Sequence, residues 1–222
     1  MEKVAQLIAQ KLIEVEAVKL QPDKPFTWAS GWKSPIYCDN RKTLSYPALR
    51  SLIKLELARV IAEQYPEAEA IAGVATGAIA QGALVADALG LPFSYIRSAP
   101  KDHGMENLIE GELKAGAKVV VVEDLISTGG SSLKAVEAVR RHGAEVLGMV
   151  AIYTHGFPDA VTSFEKAGVR LITLSDYNAV LQEAAKTGYI SASDQEVLRE
   201  WRESPSTWMG KSKEASFPRY IN

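Results

Sequence analysis

Over residues 2–18, apolar side chains recur at Val4, Leu7, Ile8, Leu12 and Val15, a spacing that collects them on one face of a helix. A second helix is predicted from Tyr46 to Gln64, with Pro47 in the first turn, where a missing N–H leaves no bond unmade. Between the two, FTWASGWKSPIYCDN (26–40) mixes aromatics with Gly31 and Pro35 and reads as a short hairpin or extended segment. From Glu69 the texture changes. Short apolar runs (AIAGVA, PFSYIR, AKVVVVEDL, AEVLGMVAIYT, VRLITL) alternate with stretches of helical spacing. This alternation predicts an α/β protein with a central parallel sheet flanked by helices. The run VVVV suits a strand covered on both faces, which needs no polar alternation. Residues 1–65 are expected to form an N-terminal helix and a small hood over the carboxyl edge of the sheet, where open α/β proteins bind ligands. Residues 66–222 form the core, with no linker between the two parts.

Composition narrows the function classes. The 222 residues carry 25 basic and 27 acidic side chains, a net charge of −2, which gives no global attraction to nucleic acid or to an acidic membrane. The apolar run at VVVV is far short of the roughly 20 residues of a membrane span. The first twenty residues are charged throughout, where a signal peptide would need an apolar stretch. One cysteine, Cys38, excludes an internal disulfide and a CxxC metal site. A cytoplasmic protein that touches neither nucleic acid nor membrane is expected.

The chemistry concentrates at VVVVEDLISTGGSS (119–132). Glu123 and Asp124 end an apolar strand, where a carboxylate is costly without a partner, and adjacent carboxylates can accept from the two hydroxyls of a ribose. Leu125, Ile126, Ser127, Thr128, Gly129, Gly130 and Ser131 then lead into a helix. Backbone N–H groups and the positive helix end can receive a phosphate there, and glycines let the main chain come close. The competing reading is a capped strand-to-helix turn with no ligand. Neither GxxxxGK[ST] nor GxGxxG is present. A second candidate is R-S-A-P-K-D-H-G (97–104), three potential cations bracketed by Pro100 and Gly104. It suits a loop closing over an anion, against the alternative of a solvated loop whose charges do nothing.

The 119–132 segment resembles the PRPP-binding signature of the type I phosphoribosyltransferases, an apolar strand, two acids and a T/G/S-rich loop. In that family the acids hold the ribose hydroxyls and the loop wraps the 5-phosphate of 5-phosphoribosyl 1-diphosphate (PRPP). R-x-x-x-K-D-H-G is similar to the catalytic loop of the orotate-using branch. The resemblance implies that Lys101, Asp102 and His103 are catalytic, with Arg97, Lys101 and His103 on the diphosphate, commonly in the neighbouring subunit's site. FTWASGWKSPIYCDN is similar to the family's base-pocket segment, which would put Tyr37 against the orotate ring and Ser30, Gly31 and Lys33 at its mouth. Trp28 and Trp32 read as core aromatics. Ser127 would touch both ribose and base, and His155 is a candidate orotate contact.

Gly73–Ala78 looks like the family's second anion loop. Ala29, Thr76 or Gly77, and Ser98 stand where relatives carry lysines, so cations are missing around the diphosphate. Cys38 reads as a small hydrophobe and His142 as a charge at a helix end. The resemblance implies a type I phosphoribosyltransferase fold and synthesis of orotidine 5-monophosphate from orotate and PRPP. It also implies Mg²⁺ held mostly by substrate oxygens and water rather than by a protein ligand, and a homodimer sharing the loop. Two alternatives stay open: transfer to a purine or uracil, and a non-catalytic regulator that senses PRPP.

Overall fold

The computed structural model describes residues 2–99 and 108–210. The chain opens with α1 (Glu2–Glu14), whose Ile8, Ala9 and Leu12 are buried. It stops short of the periodic run because Glu16 turns back with φ 54°. Four short strands follow: β1 (Val18–Leu20), β2 (Phe26–Thr27), β3 (Lys33–Ser34) and β4 (Ile36–Cys38). They pair antiparallel as β1 with β4 and β2 with β3, two small ribbons that form the hood. A 3-10 turn (Asn40–Ser45) leads to α2 (Pro47–Gln64).

The central sheet is built from β5 (Ala70–Val74), β6 (Phe93–Ile96), β7 (Ile109–Glu110), β8 (Lys118–Ile126), β9 (Glu145–Thr154) and β10 (Leu171–Asp176). Their order is β10-β9-β8-β5-β6-β7, parallel except for the edge strand β7, which runs against β6. Helices α3 (Ile79–Leu89), α4 (Gly130–Arg141), α5 (Pro158–Lys166), α6 (Tyr177–Lys186) and α7 (Ala192–Glu203) complete the chain. Val119 to Val122 are fully buried, and so is every residue of β5, as an interior parallel strand requires. Each such valine contributes on the order of 1.5–3 kcal/mol by leaving water.

The hood is smaller than the 1–65 boundary implied. Helix α1 packs on α6 and β10, where the Ser175 hydroxyl donates to the Ala5 carbonyl at 2.8 Å, and α2 packs on α3, β9 and β10. The reason lies in α2 itself: Leu49, Ile53, Leu57, Ala58, Val60 and Ile61 are buried, and only the core can cover that many. What stands over the strand ends is 18–45. Strand order also locates a crevice. The connection after β5 runs to β6 on one side, while β8 lies on the other, so the carboxyl ends of β5 and β8 form the switch point at which such sheets bind ligands.

Candidate active site

The switch point is occupied by the acid pair. Glu123 lies 5% exposed at the end of β8; its carboxylate accepts from the Asp124 N–H at 2.9 Å and from the Ser132 hydroxyl at 2.8 Å. Burial, with the Asp124 charge beside it, pushes the Glu123 carboxyl up to about 8. Asp124 is less buried and turns into the crevice. Its position is tied to a close approach: a Cβ at Gly77 would overlap the Asp124 carboxylate and displace it, so glycine there lets the carboxylate keep its place. The Ala75–Thr76 peptide in that loop is cis. Across the crevice, the buried Asn40 donates from its side-chain amide to the Asp124 carbonyl at 2.7 Å, tying the hood to the acid strand.

The loop 127–129 follows, and Gly129 caps α4 in the left-handed region (φ 80°), where a side chain would also strike the Phe164 ring. Neither α4 nor α3, the two helices that start at the switch point, has a side-chain cap. The same is true of α2 and α5, which open on Pro47 and Pro158, whereas α6 and α7 are capped by Asp176 and by a Ser191/Asp194 capping box. What sets the start of α4 apart is its place on the crevice, where its N-terminal donors can receive an anion.

A cavity of about 380 Å³ results, lined by Glu123, Asp124, Leu125, Ser127, Thr128, Gly129 and Ser131, by Ala75, Thr76 and Gly77, and by Cys38, Asp39 and Arg41 of the hood. Arg41 is a residue the sequence reading missed. Its guanidinium grips Asp39 through two bonds, at 2.7 and 3.0 Å, and it brings a cation to the rim where lysines are absent. The D-x-R spacing in CDNR was the available signal. Ile126 and Gly130 are placed differently from their neighbours. The Ile126 side chain is in the core, and only its carbonyl is used, by the His155 N–H at 3.0 Å and the Thr154 hydroxyl at 3.2 Å. Gly130 faces an adjoining cavity, with Ser131, Arg97 and Lys134.

A second cavity, of about 280 Å³, opens beside the first and shares Cys38, Leu125 and Ser127 with it. Its other walls are Thr27, Trp28, Ala29, Tyr37 and His155. Tyr37 is half-exposed and packs against Phe26, ring centroids 5.5 Å apart. Trp28 stacks on His155 at 5.2 Å and on Trp32 at 6.4 Å, and its indole N–H donates to the Ile36 carbonyl. It is a cavity wall as well as a packing residue. His155 is 1% exposed, and desolvation, aided by the Arg202 charge, pulls its pKa down to about 3. It is a neutral aromatic wall and carries no charge toward a ligand carboxylate. The Cys38 thiol is pushed well up by burial and by the charges of Asp124 and Asp39, which keeps it unreactive.

Arg97 stands at the neck of the 98–107 segment. Its N–H donates to the Leu108 carbonyl at 2.8 Å, continuing the β6–β7 pairing, and its guanidinium lies 3.6 Å from Glu110. Lys101, Asp102 and His103 lie outside the described residues. Among the described residues no cluster of three His, Cys, Asp or Glu could hold a metal ion, and no helix is long and apolar enough to cross a membrane.

The acid pair, two uncapped helix starts and the annex lie together at the switch point. The family profile of the phosphoribosyl transferase domain matches residues 49–184. The orotate phosphoribosyltransferase of Porphyromonas gingivalis is 74% identical over 94% of this chain and 99% of its own length. Among solved structures, the orotate phosphoribosyltransferase of Aeropyrum pernix superposes with a TM-score of 0.72 at 29% identity, covering 83% of this chain and 99% of that one. The UMP synthase of Leishmania donovani gives a TM-score of 0.76 at 28% identity over 89% of this chain, which spans 42% of that longer protein. The chain belongs to the phosphoribosyltransferase family and, within it, to the orotate phosphoribosyltransferases.

Proposed function

We propose that the protein transfers the phosphoribosyl group of PRPP to orotate, giving orotidine 5-monophosphate and diphosphate in pyrimidine biosynthesis. The observation that carries this reading is the adjacency of the two cavities: an acid-and-anion crevice lies beside an aromatic annex, with Ser127, Leu125 and Cys38 as walls of both. Glu123 and Asp124 accept from the ribose hydroxyls. The loop 126–131 and the start of α4 receive the 5-phosphate, with Ile126 contributing backbone alone. Orotate lies in the annex with Tyr37 and Trp28 against its ring and His155 behind them. Its ring nitrogen attacks C1 as the C1–oxygen bond breaks; the bonding electrons leave with the diphosphate, and the proton of the ring N–H passes to water or to the departing diphosphate. No covalent nucleophile is required; the residues position both substrates and stabilise departing charge.

The loop cations Arg97, Lys101 and His103 serve the diphosphate, Asp102 assists proton handling, and Arg41 supplies a cation that the missing lysines do not. Mg²⁺ fits this donor set as an ion carried by substrate oxygens and water, since the acids are committed to hydroxyls. When bound it would neutralise part of the diphosphate charge. The working form is a homodimer that shares the loop between subunits, in the cytoplasm.

The test is incubation with Mg²⁺, PRPP and orotate while following loss of orotate absorbance. Turnover with adenine or hypoxanthine but not orotate would overturn the base assignment, and silence with every base would favour a PRPP sensor. Lys101→Ala is expected to lower turnover far more than PRPP affinity, and equal losses would contradict a role in the transition state.

A further inference from the structure

The wall behind the annex joins two segments outside the 49–184 family match, the hood and α7, to residues inside it. Trp28 comes from the hood. Behind it stands Trp201 of α7, 0% exposed, its indole edge-on to Trp28 at 5.5 Å and to His155 at 5.8 Å. Phe157 and Tyr177 close the same block at 5.4 and 5.7 Å from Trp201. The Trp201 indole N–H donates to the Lys33 carbonyl at 3.2 Å, which fixes the β2–β3 ribbon from behind. Its neighbour Arg202 sits at a helix end where solvent was available, yet the guanidinium turns inward. It donates to the His155 carbonyl at 3.2 Å, the Gly156 carbonyl at 3.0 Å and the Asn178 side-chain oxygen at 3.2 Å, and it stacks over the Tyr177 ring. The turn it holds is the one that presents His155 to the annex. Helix α7 is itself anchored, by the Tyr177 hydroxyl donating to the Leu198 carbonyl at 2.7 Å and by its capping box. None of these contacts reaches the lining of the acid cavity.

We propose that α7 is a positioning element for the base: Trp201 and Arg202 hold the Trp28–His155 wall at the depth a flat pyrimidine ring needs, and thereby set affinity for the base without setting affinity for PRPP. The proposal rests on the reading of the annex as the orotate pocket. Both residues act through others and touch no substrate.

The experiment is steady-state kinetics on the full chain with Trp201→Phe, Arg202→Gln and Arg202→Lys, alongside Trp28→Ala as a direct wall variant. A Michaelis constant does not depend on how much of the enzyme is active, so partial misfolding does not imitate the expected split. Arg202→Gln should raise KM for orotate about tenfold, the cost of one or two net hydrogen bonds, with KM for PRPP unchanged within about twofold. Arg202→Lys should recover part of the loss, and Trp201→Phe should fall between. If Trp28→Ala raises KM for orotate while the α7 variants leave it alone, or if the α7 variants raise both constants together, the positioning role is wrong. If Trp28→Ala itself leaves KM for orotate unchanged, the annex is not the base pocket and the proposal falls with that reading.

Discussion

The two halves of the site are built by opposite strategies. The acid crevice takes its two acids and its anion loop from one strand-loop-helix unit, Glu123 to Ser131, with the 74–77 turn and Cys38, Asp39 and Arg41 of the hood closing its other side. The annex is gathered from Thr27–Cys38, Leu125–Ser127 and His155, and is backed by Trp201. A contiguous unit inherits its geometry from the sheet: strand end, loop and helix start can hardly be arranged in another way. An assembled wall depends on packing between distant segments, and its shape changes when any of them moves.

The sharpest way to break this contrast is to damage the contiguous half. Asp124→Asn removes a charge-assisted hydrogen bond worth about 1.5–3 kcal/mol, so kcat/KM for PRPP should drop roughly ten- to a hundredfold. Gly77→Ala, which drives a methyl group into the Asp124 carboxylate, should do the same with little change in melting temperature. If either mainly raised KM for orotate, the division between the halves would collapse.

Arg41→Ala should weaken PRPP handling by about tenfold, read as KM for PRPP. An unchanged value would leave Arg41 as an ion-pair partner of Asp39 alone.

A pH experiment sharpens the comparison. Glu123 binds its proton more tightly in the folded chain than its ordinary value of 4.5 allows. Its contribution to stability is therefore complete below about pH 4.5 and is lost as pH rises toward about 8. Glu123→Gln fixes the neutral form, so it should match the parent in stability near pH 4 and exceed it near pH 8.5. PRPP binding, which needs the carboxylate to accept from hydroxyls, should release protons at neutral pH, visible by calorimetry in buffers of different ionisation enthalpy. A proton count of zero would contradict this. The annex should show the smallest pH response, because His155 stays neutral down to about pH 3. His155→Phe is expected to leave the pH–rate profile in place; a vanished inflection near neutrality would refute it.

The same contrast governs what the sequence revealed. The strand alternation and the order of acid pair, loop and helix were legible because each is local: hydrophobic period and turn chemistry are written in adjacent residues. The edge of the hood was misjudged because α2 alone does not say that its buried face meets β9 and β10. Asn40 was passed over because its partner, the Asp124 carbonyl, lies 84 residues away. Arg41 was passed over because nothing in CDNR says that the segment folds over the end of β8. Trp201, in a helix otherwise rich in charge, gave no sign of the rings it meets, and Trp28 was read as core when it is also cavity wall. His155 was read as a candidate orotate contact; it does line the annex, as a neutral ring.

One further consequence follows from the β6–β7 pairing. Tyr95 faces Glu110, Ile96 faces Ile109, and the Arg97 N–H reaches the Leu108 carbonyl, so the ladder clamps both ends of whatever joins Ser98 to Leu108. The main chain on both sides is thus fixed by bonds that no side-chain substitution removes. A side-chain change at Arg97 can therefore be judged on catalysis alone, with the edge of the sheet left in place.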